Sequence, residues 1–296
     1  MNFSKIGIVG WKDKSSELVK ALDEIAAWAD LHRDVSFFAM DSLSDIAKKP
    51  IKVASERTLR KCSLLIAIGG DGTVLSSVRL ALGANVPILG VNAGRVGFLA
   101  ETQLENLTPT LNAISAGDYS TRDRIMIDAK VYHKGKVIYR ETVLNEVHIR
   151  AKAPECMVNV NVEYNGRPLT EYWADSLLLS TPTGSTAYNL AAGGPIIYPS
   201  TSAFVITPVA PSSLSVRPLI IPATSTCRIS SAVDVPLNLV FDGRITKVLA
   251  AGDAVSLSAS KDVTTFIRMK NTGFVNALRG KLGWTGKPKF AHSEKN

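Results

Sequence analysis

The feature that most constrains the fold is a buried strand that runs into a glycine turn. Leu64–Ile68 is an uninterrupted apolar run, typical of a strand inside a parallel sheet. The turn Gly69-Gly70-Asp71-Gly72 follows it, and helical spacing continues over 73–82. Because parallel strands are joined by helical crossovers, this unit predicts a doubly wound α/β sheet.

The rest of the first 120 residues repeats the alternation of strand and helix. Apolar runs at 5–10, 35–40 and 86–91 predict further strands, and the spacing at 15–31 and 104–116 predicts helices. We therefore expect a Rossmann-like α/β phosphate-binding domain over 1–120.

The pattern changes near Asp118. β-branched and aromatic residues alternate with polar ones at 126–133, 136–143, 158–164 and 175–179. Hairpin turns are predicted at 133–136 and 164–167, the second on Asn165-Gly166. We expect 121–268 to form an antiparallel β-sandwich in two packed layers. Helical spacing returns in 269–296, which predicts a C-terminal helical segment that packs back on the first domain.

Charge and composition limit the partners. The chain of 296 residues carries 34 basic and 26 acidic residues, a net charge of +8, which favours anionic partners. It has no long basic run with interleaved aromatics, so nucleic acid is not expected. The most apolar stretch, 204–222, is interrupted by three prolines and Arg217, so no membrane span is expected. Three widely spaced cysteines and no signal-peptide core predict a soluble, cytoplasmic protein.

The glycine turn suits a phosphate ligand. Glycines allow positive φ and close approach of the backbone, and the following helix presents free N–H groups. The turn lacks the Lys-Ser/Thr ending of a Walker A loop, and Asp71 would repel phosphate unless it had a task. It could accept a proton from an attacking hydroxyl or hold Mg²⁺ between phosphates. The alternative is a plain strand–helix turn with Asp71 as N-cap.

Two further polar segments interrupt apolar strands. The loop Ser180-Thr181-Pro182-Thr183-Gly184-Ser185-Thr186-Ala187-Tyr188-Asn189 offers many small donors and acceptors for ribose, adenine and phosphate oxygens. Its alternative interpretation is a surface turn rich in Ser and Thr. The pair Asn145-Glu146 either binds a ligand or ends a strand.

Taken together, these segments resemble the NAD kinase family over nearly the whole chain. The resemblance is carried by GGDGT at 69–73, NAGRVGFLA at 92–100, Asn145-Glu146, TPTGSTAY at 181–188 and the ending Phe274…Leu278…Leu282-Gly283-Trp284. GGDGT alone is shared with lipid kinases and phosphofructokinase-like enzymes. Its combination with TPTGSTAY in this order is specific.

The resemblance implies a reaction and a fold. The γ-phosphoryl of ATP, or polyphosphate, would be transferred to the 2′-hydroxyl of the adenosine ribose of NAD to give NADP. Asp71 would be the catalytic base or the group that positions this hydroxyl, with a divalent ion, Mg²⁺, on the phosphates. The family's α/β domain and β-sandwich agree with the pattern above, and 121–268 would be the NAD-binding domain. Members are usually homodimers or homotetramers.

The resemblance also implies binding residues. Phe98 would lie near adenine, Asn145 and Glu146 would hold ribose hydroxyls, and Asp175 and Ala210 would contact the nicotinamide half, in some members from a neighbouring subunit. The complete set of NAD- and ATP-binding residues is Gly69, Gly70, Gly72, Thr73, Asn92, Phe98, Asn145, Glu146, Asp175, Thr186, Ala187, Tyr188, Asn189, Leu190, Ala191 and Ala210.

Three positions depart from the family pattern. Trp173 stands where arginine is frequent, Cys156 where histidine or arginine is, and Arg244 where glutamine is. These changes bear on the preference for NAD or NADH. Two rival functions remain at this point: a lipid or sugar kinase of the same superfamily, which would phosphorylate such an acceptor, and a non-catalytic NAD sensor, which would bind NAD without phosphate transfer.

Overall fold

The computed structural model describes residues 3–10, 16–94, 97–153, 155–233, 235–270 and 272–284. The first part of the chain is an α/β layer. Its elements are β1 (Lys5–Val9), α1 (Ser16–Leu31), β2 (Ser36–Met40), β3 (Lys52–Ala54), α2 (Glu56–Leu59), β4 (Leu64–Ile68), α3 (Asp71–Ala81), β5 (Ile88–Asn92), β6 (Thr102–Gln103) and α4 (Leu107–Ala116).

Five parallel strands of this layer lie in the order β5-β4-β1-β2-β3. The predicted parallel sheet is thus confirmed, including the fully buried strand β4. Three short elements, β3, α2 and β6, were not predicted. Strand β3 has three residues and lies at the edge with Lys52 and Val53 exposed, so it lacks the apolar run that marks a central strand.

The helices cover both faces of the sheet. The residues Leu18, Leu22 and Ile25 of α1 pack with α4 on one face. On the other face, Val74 and Val78 of α3 pack over β4 and β5. The spacing that predicts these helices is therefore the spacing of their buried sides.

The second part of the chain is mostly antiparallel strand. Its elements are β7 (Ser120–His133), β8 (Lys136–Val143), β9 (Glu146–Ala151), β10 (Val158–Tyr164), β11 (Arg167–Ala174), β12 (Ser176–Ser180), α5 (Tyr188–Ala191), β13 (Ala203–Val209), β14 (Leu219–Pro222), β15 (Cys227–Ser231), β16 (Leu237–Phe241), β17 (Ile245–Leu249), β18 (Ala254–Arg268) and α6 (Phe274–Leu282).

These strands form two layers around one core, as predicted. One layer is a six-stranded sheet in the order β14-β13-β12-β9-β16-β17. The facing layer contains β11, β10, β15, β18, β7 and β8. Their alternating apolar residues, such as Val147, Leu177, Phe204 and Val255, meet in a single cluster.

The sandwich and the α/β layer share a sheet. Strand β18 pairs with β7 and β15 in the sandwich, and Phe266 near its end pairs in parallel with Ile88 of β5. Together they make one 12-stranded sheet. Among the described helices, none combines the length and the apolar character that crossing a membrane requires.

The strand order places a binding crevice. From β1 the chain moves outward to β2 and β3, whereas β4 and β5 lie on the other side of β1. Ligands of open α/β sheets bind at such a switch point, beyond the carboxyl ends of the strands. Here these ends are Gly10, after β1, and Gly69, after β4.

Candidate active site

The glycine turn begins α3 without a side-chain cap. Gly69 has φ +149°, and a Cβ there would collide with the Thr73 hydroxyl. Gly70 is the N-cap, and no side chain caps the helix. The interpretation of Asp71 as N-cap is therefore wrong: Asp71 is the first helical residue, and its carboxylate points elsewhere.

The Asp71 carboxylate is held by the segment after β5. The Phe98 N–H donates to Oδ2 at 3.0 Å and the Leu99 N–H to Oδ1 at 3.1 Å. A Cβ on Gly97 would overlap Oδ1, so this close approach needs glycine. The side chain remains 35% exposed. The carboxylate is thus fixed in orientation and still open to a ligand.

A lysine of the last helix completes the surroundings of Asp71. Lys281 Nζ lies 3.8 Å from Asp71 Oδ2 and 4.3 Å from the centroid of the Phe98 ring. The face of α6 that carries it also holds Phe274 and Leu278, since these residues are spaced i, i+4 and i+7. Phe274 contacts the rings of Phe98 and Tyr198, at centroid distances of 6.3 and 5.3 Å. The sequence reasoning noted this spacing but missed Lys281.

Arg244 connects the sandwich to the glycine turn. It lies in the turn between β16 and β17, and its guanidinium donates to the Gly72 carbonyl and to Ser76 Oγ on α3. This residue, one of the three departures from the family pattern, therefore contacts the site directly.

The pair Asn145-Glu146 is buried, and its backbone is held by hydrogen bonds to the Asp242 side chain. The Asp242 carboxylate accepts backbone N–H groups of Leu144, Asn145 and Glu146 at 3.0, 2.7 and 3.2 Å. Burial raises the pKa of Asp242, and the three N–H donors act against that rise. The sequence reasoning missed this carboxylate, although Asp242-Gly243 marks a turn.

Three buried polar atoms lie here without a partner among the described residues: Asn145 Oδ1, Glu146 Oε2 and Ser180 Oγ. Glu146 is paired in register with Ser180 on β12. Burial raises the pKa of Glu146 to about 8, and the Asp242 charge adds to the rise. A protonated Glu146 both donates and accepts a hydrogen bond, which suits a hydroxyl ligand. Buried atoms without partners indicate a place where a ligand completes the hydrogen bonding.

The second loop is attached to this pair. It forms a 3₁₀ turn (Gly184–Thr186) followed by α5. The Thr181 N–H donates to the Asn145 carbonyl at 2.8 Å, and its hydroxyl donates to the Leu144 carbonyl at 2.5 Å. Any Cβ on Gly184 would overlap the Asn145 backbone. The two predicted segments are therefore one structural unit, not a separate surface turn.

Tyr188 presents an open ring beside the pair. It is 41% exposed and lies edge-on to His148, with 5.0 Å between the ring centroids. Burial and the nearby Arg150 lower the pKa of His148 to about 4, so this imidazole is neutral at pH 7. Thr186 and Ala187, which precede Tyr188 in the chain, are half-buried. The exposed ring face could stack on a base.

Two predicted binding residues use their side chains inside the protein. Asn189 is fully buried; its amide donates to the Ser185 and Pro195 carbonyls and accepts from the Thr207 hydroxyl. The Asn92 amide closes the turn to Gly94 in the same way. These two side chains hold their loops, and direct ligand contact by them, as by Leu190 and Ala191 of α5, stays a prediction.

Asp175 and Ala210 lie away from this cluster within one chain. The Asp175 N–H donates to the Val209 carbonyl, which brings the two residues to the same end of the sheet. Strand β12 lies between Asp175 and Thr181, which are six residues and therefore about 20 Å apart along the strand. Of the other departures, Cys156 is exposed, and the exposed Trp173 donates its indole N–H to the Glu171 carboxylate at 2.8 Å.

Known proteins are similar to this chain over most of its length. The model of the ATP-NAD kinase N-terminal domain matches residues 12–119, and that of the ATP-NAD kinase C-terminal domain matches 144–269. The NAD kinase of Syntrophotalea carbinolica is 40% identical over 222 residues, 75% of this chain and 78% of that protein. The NAD kinase of Geobacter metallireducens is 36% identical over 264 residues, 88% and 92% of the two chains.

Two solved structures share the fold. A yeast NADH kinase complexed with NADH has a TM-score of 0.89 at 24% identity, covering 99% of this chain and 91% of that one. An NAD kinase from Archaeoglobus fulgidus in complex with ATP has a TM-score of 0.72 at 20% identity, covering 94% and 97%. Both support the predicted α/β layer plus β-sandwich.

The fold and the glycine turn define a nucleotide phosphotransferase. More specifically, the chain belongs to the ATP-NAD kinase family. The predicted activity, NAD kinase with ATP as donor, is confirmed at the level of this family. The rival functions, a lipid or sugar kinase and a non-catalytic sensor, are set aside.

Proposed function

We propose that this NAD kinase transfers the γ-phosphoryl of ATP to the adenosine 2′-hydroxyl of NAD at Asp71. The observation that carries this assignment is a carboxylate fixed by two N–H donors, yet open, at the start of the helix that follows the glycine turn. A base must be held within hydrogen-bond reach of the proton that it takes, and such fixing supports this role.

In the proposed step, Asp71 accepts the proton of the 2′-hydroxyl. The ribose oxygen then forms a bond to the γ-phosphorus, the bond between that phosphorus and the β–γ bridging oxygen breaks, and ADP leaves. Asp71 passes its proton to solvent. The N–H groups at the start of α3 and the cations Lys281 and Arg244 stabilise the transferring charge.

NAD would bind across Asn145, Glu146, Ser180 and Tyr188, which we call the acceptor cluster. Asn145 and Glu146 have buried oxygen atoms that lack partners among the described residues, and they would take ribose hydroxyls. The exposed ring of Tyr188 and the ring of Phe98 would receive the adenine. Polyphosphate as an alternative donor stays part of this proposal.

We propose that Mg²⁺ enters the site bound to the phosphates of ATP. In the described part of the chain, no group of three or more His, Cys, Asp or Glu side chains could hold a metal. Magnesium commonly binds through one or two carboxylates and substrate phosphates. The ion would be held mainly by the phosphates and water, since Asp71, the carboxylate at the turn, takes the proton in the step above. When bound, the ion would neutralise part of the negative charge of the ATP phosphates.

We also propose a homodimer or homotetramer. Asp175 and Ala210 lie at the opposite end of β12 from Thr181, so we propose that their expected contact with the nicotinamide half comes from a neighbouring subunit. Exposed apolar side chains near them support an interface: Trp173 is 54% exposed and Leu214 is 88% exposed.

We also propose three domains, with boundaries at 1–120, 121–268 and 269–296. A cytoplasmic location is a further proposal, and three free cysteines support it.

The proposal is tested with purified protein, ATP, Mg²⁺ and NAD, and an NADP-specific dehydrogenase as readout. Asp71→Asn should lower turnover about 10²–10⁴-fold, the usual contribution of a general base, while NAD binding measured by calorimetry is retained. The matched control is Asp262→Asn, which alters an exposed carboxylate on β18. Near-normal turnover of Asp71→Asn would remove Asp71 from the mechanism.

A further inference from the structure

A polar cavity of about 230 Å³ lies at the start of α6. Its wall is formed by the segment after β5, by one residue each of β7 and β18, and by the first turn of α6. We call it the α6 cavity, and its lining residues include Glu101, Arg124, Arg268 and Asn276. We infer that the α6 cavity binds a small, doubly charged oxyanion: inorganic phosphate or the phosphate group of a metabolite.

The pairing of β7 with β18 brings two arginines to this cavity. Arg124 lies opposite Thr264, and Arg268 lies opposite Ser120. Residues opposite each other in an antiparallel pair share a face of the sheet, and positions 264 and 268 share a face because side chains alternate along a strand. Both guanidinium groups therefore project from the same face.

Arg124 lacks a partner in this position. It is half-buried, and its guanidinium has no hydrogen bond or ion pair with any of the described residues. Burial lowers the pKa of Arg124, and the like charge of Arg268 lowers it further. A cation that loses water and gains no partner is costly. An oxyanion between the two guanidinium groups would remove both costs, since the planar group binds phosphate or carboxylate oxygens in pairs.

The carboxylate of Glu101 is already engaged by the chain. Its Oε1 accepts the Met269 N–H at 2.9 Å and the Thr272 hydroxyl. Burial raises the pKa of Glu101, whereas the Met269 N–H and the two arginines act against that rise. Of the described residues in the wall, Glu101 is the one carboxylate and faces two guanidinium groups. The wall therefore has a net positive charge.

The first turn of α6 adds N–H donors to the same wall. Gly273 is the N-cap, and no side chain caps this helix of nine residues. A Cβ on Gly273 would overlap the Arg268 guanidinium, so the helix start lies directly against that group. The N–H groups of a first helical turn point away from the helix and favour an anion. Together with the partnerless Arg124, they indicate an anion site.

The α6 cavity is distinct from the glycine turn but adjoins the candidate active site through Phe98. Its lining residues do not include Asp71, Gly72 or Arg244. Phe98 lines the cavity, its ring contacts Phe274, and its backbone N–H holds Asp71. An anion in the cavity would thus tie α6 to the segment that fixes the Asp71 carboxylate. This role goes beyond the transfer reaction itself.

The first test is calorimetric titration of the full chain with inorganic phosphate at pH 8 and fixed ionic strength. Arg124→Gln should weaken binding at least about tenfold, the loss expected for one charge-assisted contact. Glu101→Gln should strengthen it, because glutamine keeps an oxygen for Met269 and Thr272 and removes the negative charge. The matched control is Arg122→Gln, an exposed arginine of β7 that does not line the cavity; its affinity should stay within twofold.

Hydrogen exchange then locates the bound phosphate. In the wild type, phosphate should slow exchange in peptides that cover 97–103 and 272–284, and this protection should be absent in Arg124→Gln. Phosphate bound at the glycine turn would instead protect 69–75 equally in both proteins. Neither measurement requires turnover, so the outcome does not depend on the proposed function.

Glycerol 3-phosphate separates the two sources of the anion. Tighter binding of this monoester than of inorganic phosphate would identify a phosphorylated metabolite as the ligand, and the reverse order would identify free phosphate. In either case Arg124→Gln must weaken the binding. Equal affinities in the wild type, Arg124→Gln and Glu101→Gln, or protection confined to 69–75, would overturn the inference.

Discussion

At the scale of single residues, the acceptor cluster contains a buried carboxyl group. Glu146 begins β9 and is buried near Asp242. Burial raises the pKa of Glu146 to about 8, and the Asp242 charge adds to the rise. Its ordinary value is 4.5, so the folded protein holds this proton more tightly than the unfolded chain. Between these two values the unfolded chain loses the proton first, and stability falls as the pH rises.

This gives a prediction for Glu146→Gln. The free energy of unfolding of the wild type should fall by at most about 1.4 kcal/mol per pH unit from Glu146 between about pH 4.5 and 8. Glutamine cannot ionise, so the variant should lack this fall. The measurement is urea unfolding at pH 5, 6, 7 and 8. The slope from Asp242 is present in both proteins, so the difference isolates Glu146.

The exposed Glu155 provides the control, since Glu155→Gln should follow the wild type at every pH. If the curves of wild type and Glu146→Gln ran parallel over this range, Glu146 would be ionised in the fold at pH 7, and its proposed double role as donor and acceptor would fail.

At the scale of elements, helix α6 places the positive charge of Lys281 near the Asp71 carboxylate. Phe274 and Leu278 attach one face of the helix, and this face places Lys281 near the carboxylate. The neighbouring Arg279 lies on the exposed face of the same turn. The two residues carry the same charge, so a general effect of positive charge would not distinguish them.

Lys281→Met should therefore lower turnover at least about tenfold, because a cation beside the transferring charge is lost. Arg279→Met should keep turnover near that of the wild type. Both variants are compared in the NADP-coupled assay, with circular dichroism as a check that α6 remains folded. Equal losses in the two variants would show that α6 acts only through its overall charge.

The elements also show what the sequence could and could not predict. Strand β4 is an uninterrupted apolar run, and helix α1 and the hairpin strands β7 and β8 have strong periodicity. These elements were predicted. Strand β3 and the short helices α2 and α5 have three or four residues each, too few to show a period. The α6 spacing predicted a helix, but not which of its basic residues faces the site.

Contacts between distant residues explain the missed parts of the site. The glycine turn, the Asn145-Glu146 pair and the loop at 181–188 are local patterns and were predicted. Asp242 binds the Asn145 N–H across 97 positions of the chain, and Arg244 reaches Gly72 across 172. No local pattern encodes such contacts, because they depend on how the strands are ordered in the sheets.

At the scale of the whole molecule, the two parts share one sheet. Strand β18 has 15 residues; it pairs with β7 along its length and reaches β5 at Phe266. The glycine turn belongs to the α/β layer, whereas Arg244 and Asn145 belong to the sandwich. Unfolding of either layer would therefore expose β18 and separate the residues that form the site.

This continuity predicts that the two parts unfold together. In hydrogen exchange at increasing urea and fixed protein concentration, peptides that contain β4 and peptides that contain β12 should lose protection at the same midpoint. The reason is that both strands are buried in cores that β18 links, so neither layer retains its own core when the other opens. Protection of β12 that persists at a urea concentration where β4 exchanges freely would mean that the sandwich folds independently, and that β18 is held by the sandwich alone.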